Sequence, residues 1–189
     1  MNPIKSLSAS LFSTSTSNPK PRKRAISRRS FLGTSLALGG VVFVMVAIAQ
    51  SALAQNLVRF NGGVGVIPTG STNTTVRTVA AAGQIWRIQD LAADVKQDGR
   101  IRLDGRGLLL ASGNSVGSNA NQSVFATLFC ANDGNIQHSS NLAGVPLEVD
   151  GDFHIDDTLS PAPPNPCTSP VLLIRSAGNG SWFAAGIPK

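Results

Sequence analysis

From residue 55 onward the apolar residues come in short runs, often alternating with polar ones and broken by glycine-bearing turns. This spacing leaves little room for anything but a β fold. The clearest unit runs Leu91-Ala92-Ala93-Asp94-Val95-Lys96-Gln97, then Asp98-Gly99, then Arg100-Ile101-Arg102-Leu103-Asp104. Leu91, Ala93 and Val95 alternate with polar residues, as do Ile101 and Leu103, the period-two pattern of strands with one buried face. The Asp-Gly pair between them suits a tight hairpin, because glycine accepts the positive φ the turn demands. Arg100, Arg102 and Asp104 then share a solvent face. The pattern returns at Val149-Asp150-Gly151-Asp152-Phe153-His154-Ile155-Asp156, which reads as a second, similar hairpin.

Further strands are expected at Val58–Phe60, Thr75–Val79, Ile85–Ile88, Ser123–Cys130, Val171–Arg175 and Trp182–Ile187, the last two joined through Ala177-Gly178-Asn179-Gly180. No stretch reads as a convincing amphipathic helix. Some eight or nine short strands predict an all-β fold, either an antiparallel β-sandwich (Ig-like or similar) or a small barrel. The expected core is Trp86, Ile101, Leu103, Phe125, Leu128, Phe153, Ile155, Leu172, Ile174 and Phe183. Gly62-Gly63-Val64-Gly65 reads as a turn. Ser112–Gln122 reads as an exposed loop, and Ser160–Pro170, with five prolines, as an extended crossover, since proline cannot donate to a sheet ladder.

Charge divides the chain. The net charge is +6, yet seven of the 16 basic residues precede residue 30 and all ten acidic residues lie at or beyond Asp90. Residues 55–189 carry 9 basic and 10 acidic groups, a balance of −1. The basic excess therefore belongs to the leader, and the near-neutral remainder offers no footprint for a nucleic-acid backbone. No nucleic-acid partner is expected.

The leader has its own organisation. Residues 1–26 are rich in Ser, Pro, Lys and Arg, a composition that predicts disorder. Ser27-Arg28-Arg29-Ser30-Phe31-Leu32-Gly33 follows, then an apolar stretch over 31–49 and the small-x-small sequence Ser51-Ala52-Leu53-Ala54 before Gln55. Arg28, Arg29, Phe31 and Leu32 resemble the twin-arginine consensus of exported bacterial precursors, with Gly33 where a lysine is common. The resemblance implies a signal peptide over 1–54, cleaved at Ala52-x-Ala54 before Gln55, and an exported domain over 55–189. Cleavage before Gln50 is the alternative site, and an uncleaved anchor is the alternative fate, since a spanning helix needs about 20 apolar residues. The expected partners of the precursor are the twin-arginine export machinery and signal peptidase, with no stable membrane anchor, and the destination is secreted or periplasmic. Such export carries folded cargo, some of it loaded with a cofactor.

Cys130 and Cys167, 37 positions apart, are the only cysteines. In an oxidising compartment they most simply form one disulfide. The alternative is a pair of metal-ligand thiolates, but zinc sites favour short spacings such as C-x-x-C.

Chemistry-bearing patterns are few. Gly113-Asn114-Ser115-Val116-Gly117 matches the nucleophile-elbow sequence of a serine hydrolase, which requires Ser115 on a strand-to-helix turn; the polar residues that follow do not predict a helix. Asp150, Asp152, His154 and Asp156 alternate, so a strand places them on one face; Asp152, His154 and Asp156 are the candidate metal ligands. A strand spreads such ligands about 7 Å apart, and an ordinary solvated face accounts for them equally. His138 and His154 with Cys130 invite a copper reading, but residues 55–189 contain no methionine for an axial ligand. His138 itself falls in the polar loop Gln137-His138-Ser139-Ser140-Asn141. The sparse aromatics argue against a sugar cleft, and Gly62–Gly65 lacks the Lys-Ser/Thr of a phosphate loop. No cofactor is expected.

Val124–Cys130, Asn165-Pro166-Cys167 with Pro170–Arg175, and Trp182–Pro188 are similar to segments of a group of small exported bacterial proteins. The likeness extends over most of residues 57–189 and implies an exported β domain. It transfers no catalytic residue. The reading of the whole is an exported, non-enzymatic binding or envelope protein, with a metal-binding domain as runner-up and a Ser115 hydrolase third.

Overall fold

The computed structural model describes residues 54–68 and 75–189. The twin-arginine motif Arg28, Arg29, Phe31 and Leu32, together with Ala52 of the cleavage sequence, lies outside the described residues. The described residues form eleven strands: β1 Asn56–Gly65, β2 Trp86–Arg87, β3 Asp90–Lys96, β4 Arg100–Arg106, β5 Leu109–Leu110, β6 Ser123–Phe129, β7 His138–Ser139, β8 Val145–Pro146, β9 Phe153–Thr158, β10 Val171–Ser176 and β11 Trp182–Pro188. Nine of them make one antiparallel sheet in the order β7-β6-β10-β11-β1-β3-β4-β9, with β8 also on β6; β2 and β5 pair separately.

The sheet curls until its two edges meet. Ser139 of β7 and Ser160, just past β9, exchange backbone hydrogen bonds of 3.1 and 2.8 Å. The architecture is thus a nearly closed barrel rather than two facing sheets, an outcome that leaves fewer edges for unwanted pairing.

Register sorts the faces. Phe60, Ala93, Leu103 and Ile155 stand opposite one another across β1, β3, β4 and β9, and all four are buried. One position along, Arg59, Asp94, Arg102 and Asp156 form a row on the solvent side, where Arg59 Nε meets Asp94 at 2.6 Å and Arg102 Nη2 meets Asp156 at 2.9 Å. The β3–β4 hairpin turns at Asp98-Gly99 with Gly99 at φ +86°, and the β10–β11 hairpin turns through Gly178-Asn179-Gly180, as their sequences predict. All ten residues of the expected core are buried. On β6 and β10 both faces are covered, and the Trp86 ring stacks on Phe183 at 4.1 Å.

Three expectations are corrected. Gly62–Gly65 is not a turn but the last four residues of β1. A bulge between Phe60 and Gly63 bends the strand at Gly62, whose φ is +88°. A Cβ on Gly65 would collide with the Trp86 carbonyl, so the glycine is there to admit β2 against β1. Thr75–Val79 is a tight turn closed by Val76 and Val79 rather than a strand. Asp150-Gly151 precedes β9, but β9 pairs with β4, so the second Asp-Gly makes a turn and no hairpin. Its glycine packs on the Leu108 backbone, and the Gly151 carbonyl accepts the Leu108 N–H at 2.9 Å.

Candidate functional site

Two neighbourhoods gather polar chemistry, both on the side of the barrel where it closes. The first is a groove of about 560 Å³ along the seam, lined by Gln137, Ser139, Ser140, Asn141, Leu142, Asp157, Thr158 and Ser160. Asp157 builds one wall: its carboxylate accepts the Asn141 N–H and the Thr158 N–H, each at 2.7 Å. The Ser139 and Ser140 hydroxyls are committed inward, to Thr127 Oγ1 at 2.9 Å and the Ala126 N–H at 3.0 Å. Gln137 is steadied by Arg175, whose Nη1 donates to its Oε1 at 2.7 Å. The Arg175 guanidinium lies 5.0 Å from the Phe125 ring centroid, and burial lowers its pKa from the ordinary arginine value. The Gln137 and Asn141 amide nitrogens and the Thr158 and Ser160 hydroxyls make no hydrogen bond to other described residues. Leu142 stands beside them 62% exposed.

The second neighbourhood surrounds Cys130. The Cys130–Cys167 disulfide is present, with Cα atoms 5.0 Å apart, and it ties the end of β6 to the proline-rich crossover. A single 3-10 turn, Ala131–Asp133, follows Cys130 and brings Asp133 back beside it; Gly134 at φ +73° ends the turn. Asp133 Oδ2 lies 2.5 Å from His138 Nε2, and His138 Nδ1 lies 2.9 Å from the Pro161 carbonyl. That carbonyl only accepts, so Nδ1 carries a proton and donates it, and Nε2 faces the Asp133 carboxyl group. The pair is deeply set, with His138 and Asp133 side chains 3% and 11% exposed. Asp133 Oδ1 is buried with no hydrogen-bond partner.

His138 is therefore not in a solvated loop. β7 lies on β6 beneath the crossover, and this packing inserts the imidazole under Pro161. Its neighbours in sequence are polar, so nothing local marks it as buried.

The other residues singled out from the sequence are dispersed. Asp152 Oδ1 accepts the Gly107 N–H at 2.9 Å, His154 Nδ1 bonds Asp104 at 2.7 Å, and Asp156 pairs with Arg102. The three thus have separate partners, with Asp152 half-buried and His154 and Asp156 exposed. Ser115 closes an exposed 3-10 turn, Gly113–Ser115, that leads into β6 without a helix. The elbow geometry its motif calls for is not formed there. Among the described residues, no helix is long and apolar enough to cross a membrane. Comparison of the chain with family models, curated proteins and solved structures finds no match.

Proposed function

We propose that the protein works outside the cytoplasm, delivered by twin-arginine export, as a non-enzymatic β-barrel that binds its ligand in the seam groove. The observation that carries this reading is the groove itself: unbonded amide and hydroxyl groups beside an exposed Leu142. Such a mixture suits a hydrogen-bonding ligand with one apolar edge, since a few placed polar groups orient a ligand while apolar contact supplies affinity. The closed disulfide supports an oxidising destination. The Arg28-Arg29 leader supplies the route.

Native mass spectrometry of the protein recovered from producing cells tests the proposal. The expected species begins at Gln55, is two hydrogens lighter than the reduced chain, and retains a small-molecule mass that a Leu142→Asp variant loses. A chain held in the cytoplasm with its leader intact overturns the export reading. Recovery with no ligand, or with ligand equally retained by the variant, overturns the groove.

A further inference from the structure

We propose that reduction of the Cys130–Cys167 bond converts this corner of the barrel into a zinc site, with Cys130, Cys167, Asp133 and His138 as its four ligands. This site is separate from the seam groove and does not depend on what the groove binds. The ligand atoms of Cys130, Asp133 and His138 all lie within 4.8 Å of one another, and the Cys167 sulfur is joined to that of Cys130. A tetrahedral zinc with bonds of about 2.0–2.3 Å needs its ligand atoms roughly 3.3–3.8 Å apart. Among Cys130, Asp133 and His138 the separations already present are within about 1.5 Å of that requirement, while the Cys167 sulfur, bonded to that of Cys130, has to move outward to meet it. Two sulfurs, one nitrogen and one oxygen form a donor set that favours zinc over magnesium or calcium.

Three further features prepare the site. His138 Nδ1 is held by the Pro161 carbonyl, the outer hydrogen bond that fixes a metal-binding imidazole and turns Nε2 toward the ion. Asp133 Oδ1 is buried without a partner, an unsatisfied acceptor that a cation would satisfy. The two cysteine segments are also clasped independently of the sulfurs. Asn132 donates to the Pro166 carbonyl at 2.9 Å and accepts both the Thr168 N–H and hydroxyl at 3.1 Å, and the Ala131 N–H reaches the Thr168 carbonyl at 2.7 Å. Arg77 adds a second clasp through Asn135 and the Ser169 carbonyl. Breaking the disulfide therefore leaves the two cysteine segments side by side, with the sulfurs free to part.

The chemistry balances in two steps. A dithiol reductant is oxidised to its disulfide while Cys130 and Cys167 each gain one electron and one proton. Zn²⁺ then takes the place of the protons on the two sulfurs and of the hydrogen bond between His138 and Asp133, so thiol ligation releases protons and binding strengthens as pH rises.

The test is titration of the full chain with Co²⁺ as a spectroscopic stand-in and with Zn²⁺ under native mass spectrometry, oxidised and then reduced by a phosphine. The oxidised protein should bind neither ion at this site. The reduced protein should take up one ion per chain, with the visible bands of tetrahedral cobalt and thiolate charge transfer. Asp133→Asn and His138→Gln should each weaken binding more than about 100-fold, because even outer-shell changes cost 10–100-fold. Circular dichroism follows the fold throughout; if reduction or a substitution loosens it, zinc should restore the reduced wild type and not the variants. A reduced chain that binds no ion overturns the proposal. So does one that binds through its thiols alone, with affinity unchanged in Asp133→Asn, or one that zinc fails to refold.

Discussion

Asp98 receives two bonds from Arg100 in the β3–β4 turn: the backbone N–H at 3.1 Å and the guanidinium Nε at 2.8 Å. These hold its carboxyl below the ordinary value of 3.8, the backbone hydrogen bond contributing most. A carboxyl whose folded pKa is depressed adds stability above the unfolded value and loses it as pH falls through the folded one. A ¹³C carboxyl titration should accordingly place the Asp98 midpoint below 3.8, and Asp98→Asn should remove its part of the acid-limb loss of stability. A midpoint at or above 3.8 would show that the turn does not favour the charged form. This residue was legible in advance as a turn former, because the Asp-Gly pair acts locally. His138 was not, since the Pro161 carbonyl and Asp133 that hold it come from a crossover and a 3-10 turn that sequence spacing does not bring together.

Strands declare themselves by alternation, and β3, β4, β6, β9, β10 and β11 all fall where the sequence predicts them. β1 runs past the expected Val58–Phe60 because four of its ten residues, Gly62-Gly63-Val64-Gly65, look like a turn when read without their neighbours. The glycines answer to what lies across them: Ile88 and Leu91 at Gly63, and the Trp86 and Arg87 backbone at Gly65. Gly65→Ala should therefore force β2 away from β1 and lower stability by about 1–3 kcal/mol, the usual cost of overpacking a tight site. Urea denaturation of the variant measures this, and an unchanged midpoint would mean that β2 moves aside freely. The charged row Arg59–Asp94–Arg102–Asp156 contributes far less, since each pair is roughly half exposed and such pairs are worth at most about 1 kcal/mol.

For the molecule as a whole, the disulfide joins segments that the barrel and the Asn132 clasp already place together. A bridge closing a 37-residue separation contributes roughly 4 kcal/mol through the unfolded chain. The Cys130→Ser/Cys167→Ser double variant should thus lose about 2–4 kcal/mol in chemical denaturation yet keep its β spectrum; a chain that fails to fold would make the bridge a condition of the architecture. The sequence leaned toward a sandwich with a barrel as the alternative, because closure is made by contacts that no alternating pattern marks: the Ser139–Ser160 backbone exchange, the Asn141 N–H on Asp157 and His138 on the Pro161 carbonyl.

β1 lies between β3 and β11, and Phe60 stands opposite Pro188. Among the described strands, β1, the earliest in chain order, therefore waits for β11, the latest, before its second edge is paired. During synthesis the barrel cannot be completed until β11 has left the exit tunnel, and the unpaired edge of β1 stays open to other chains until then.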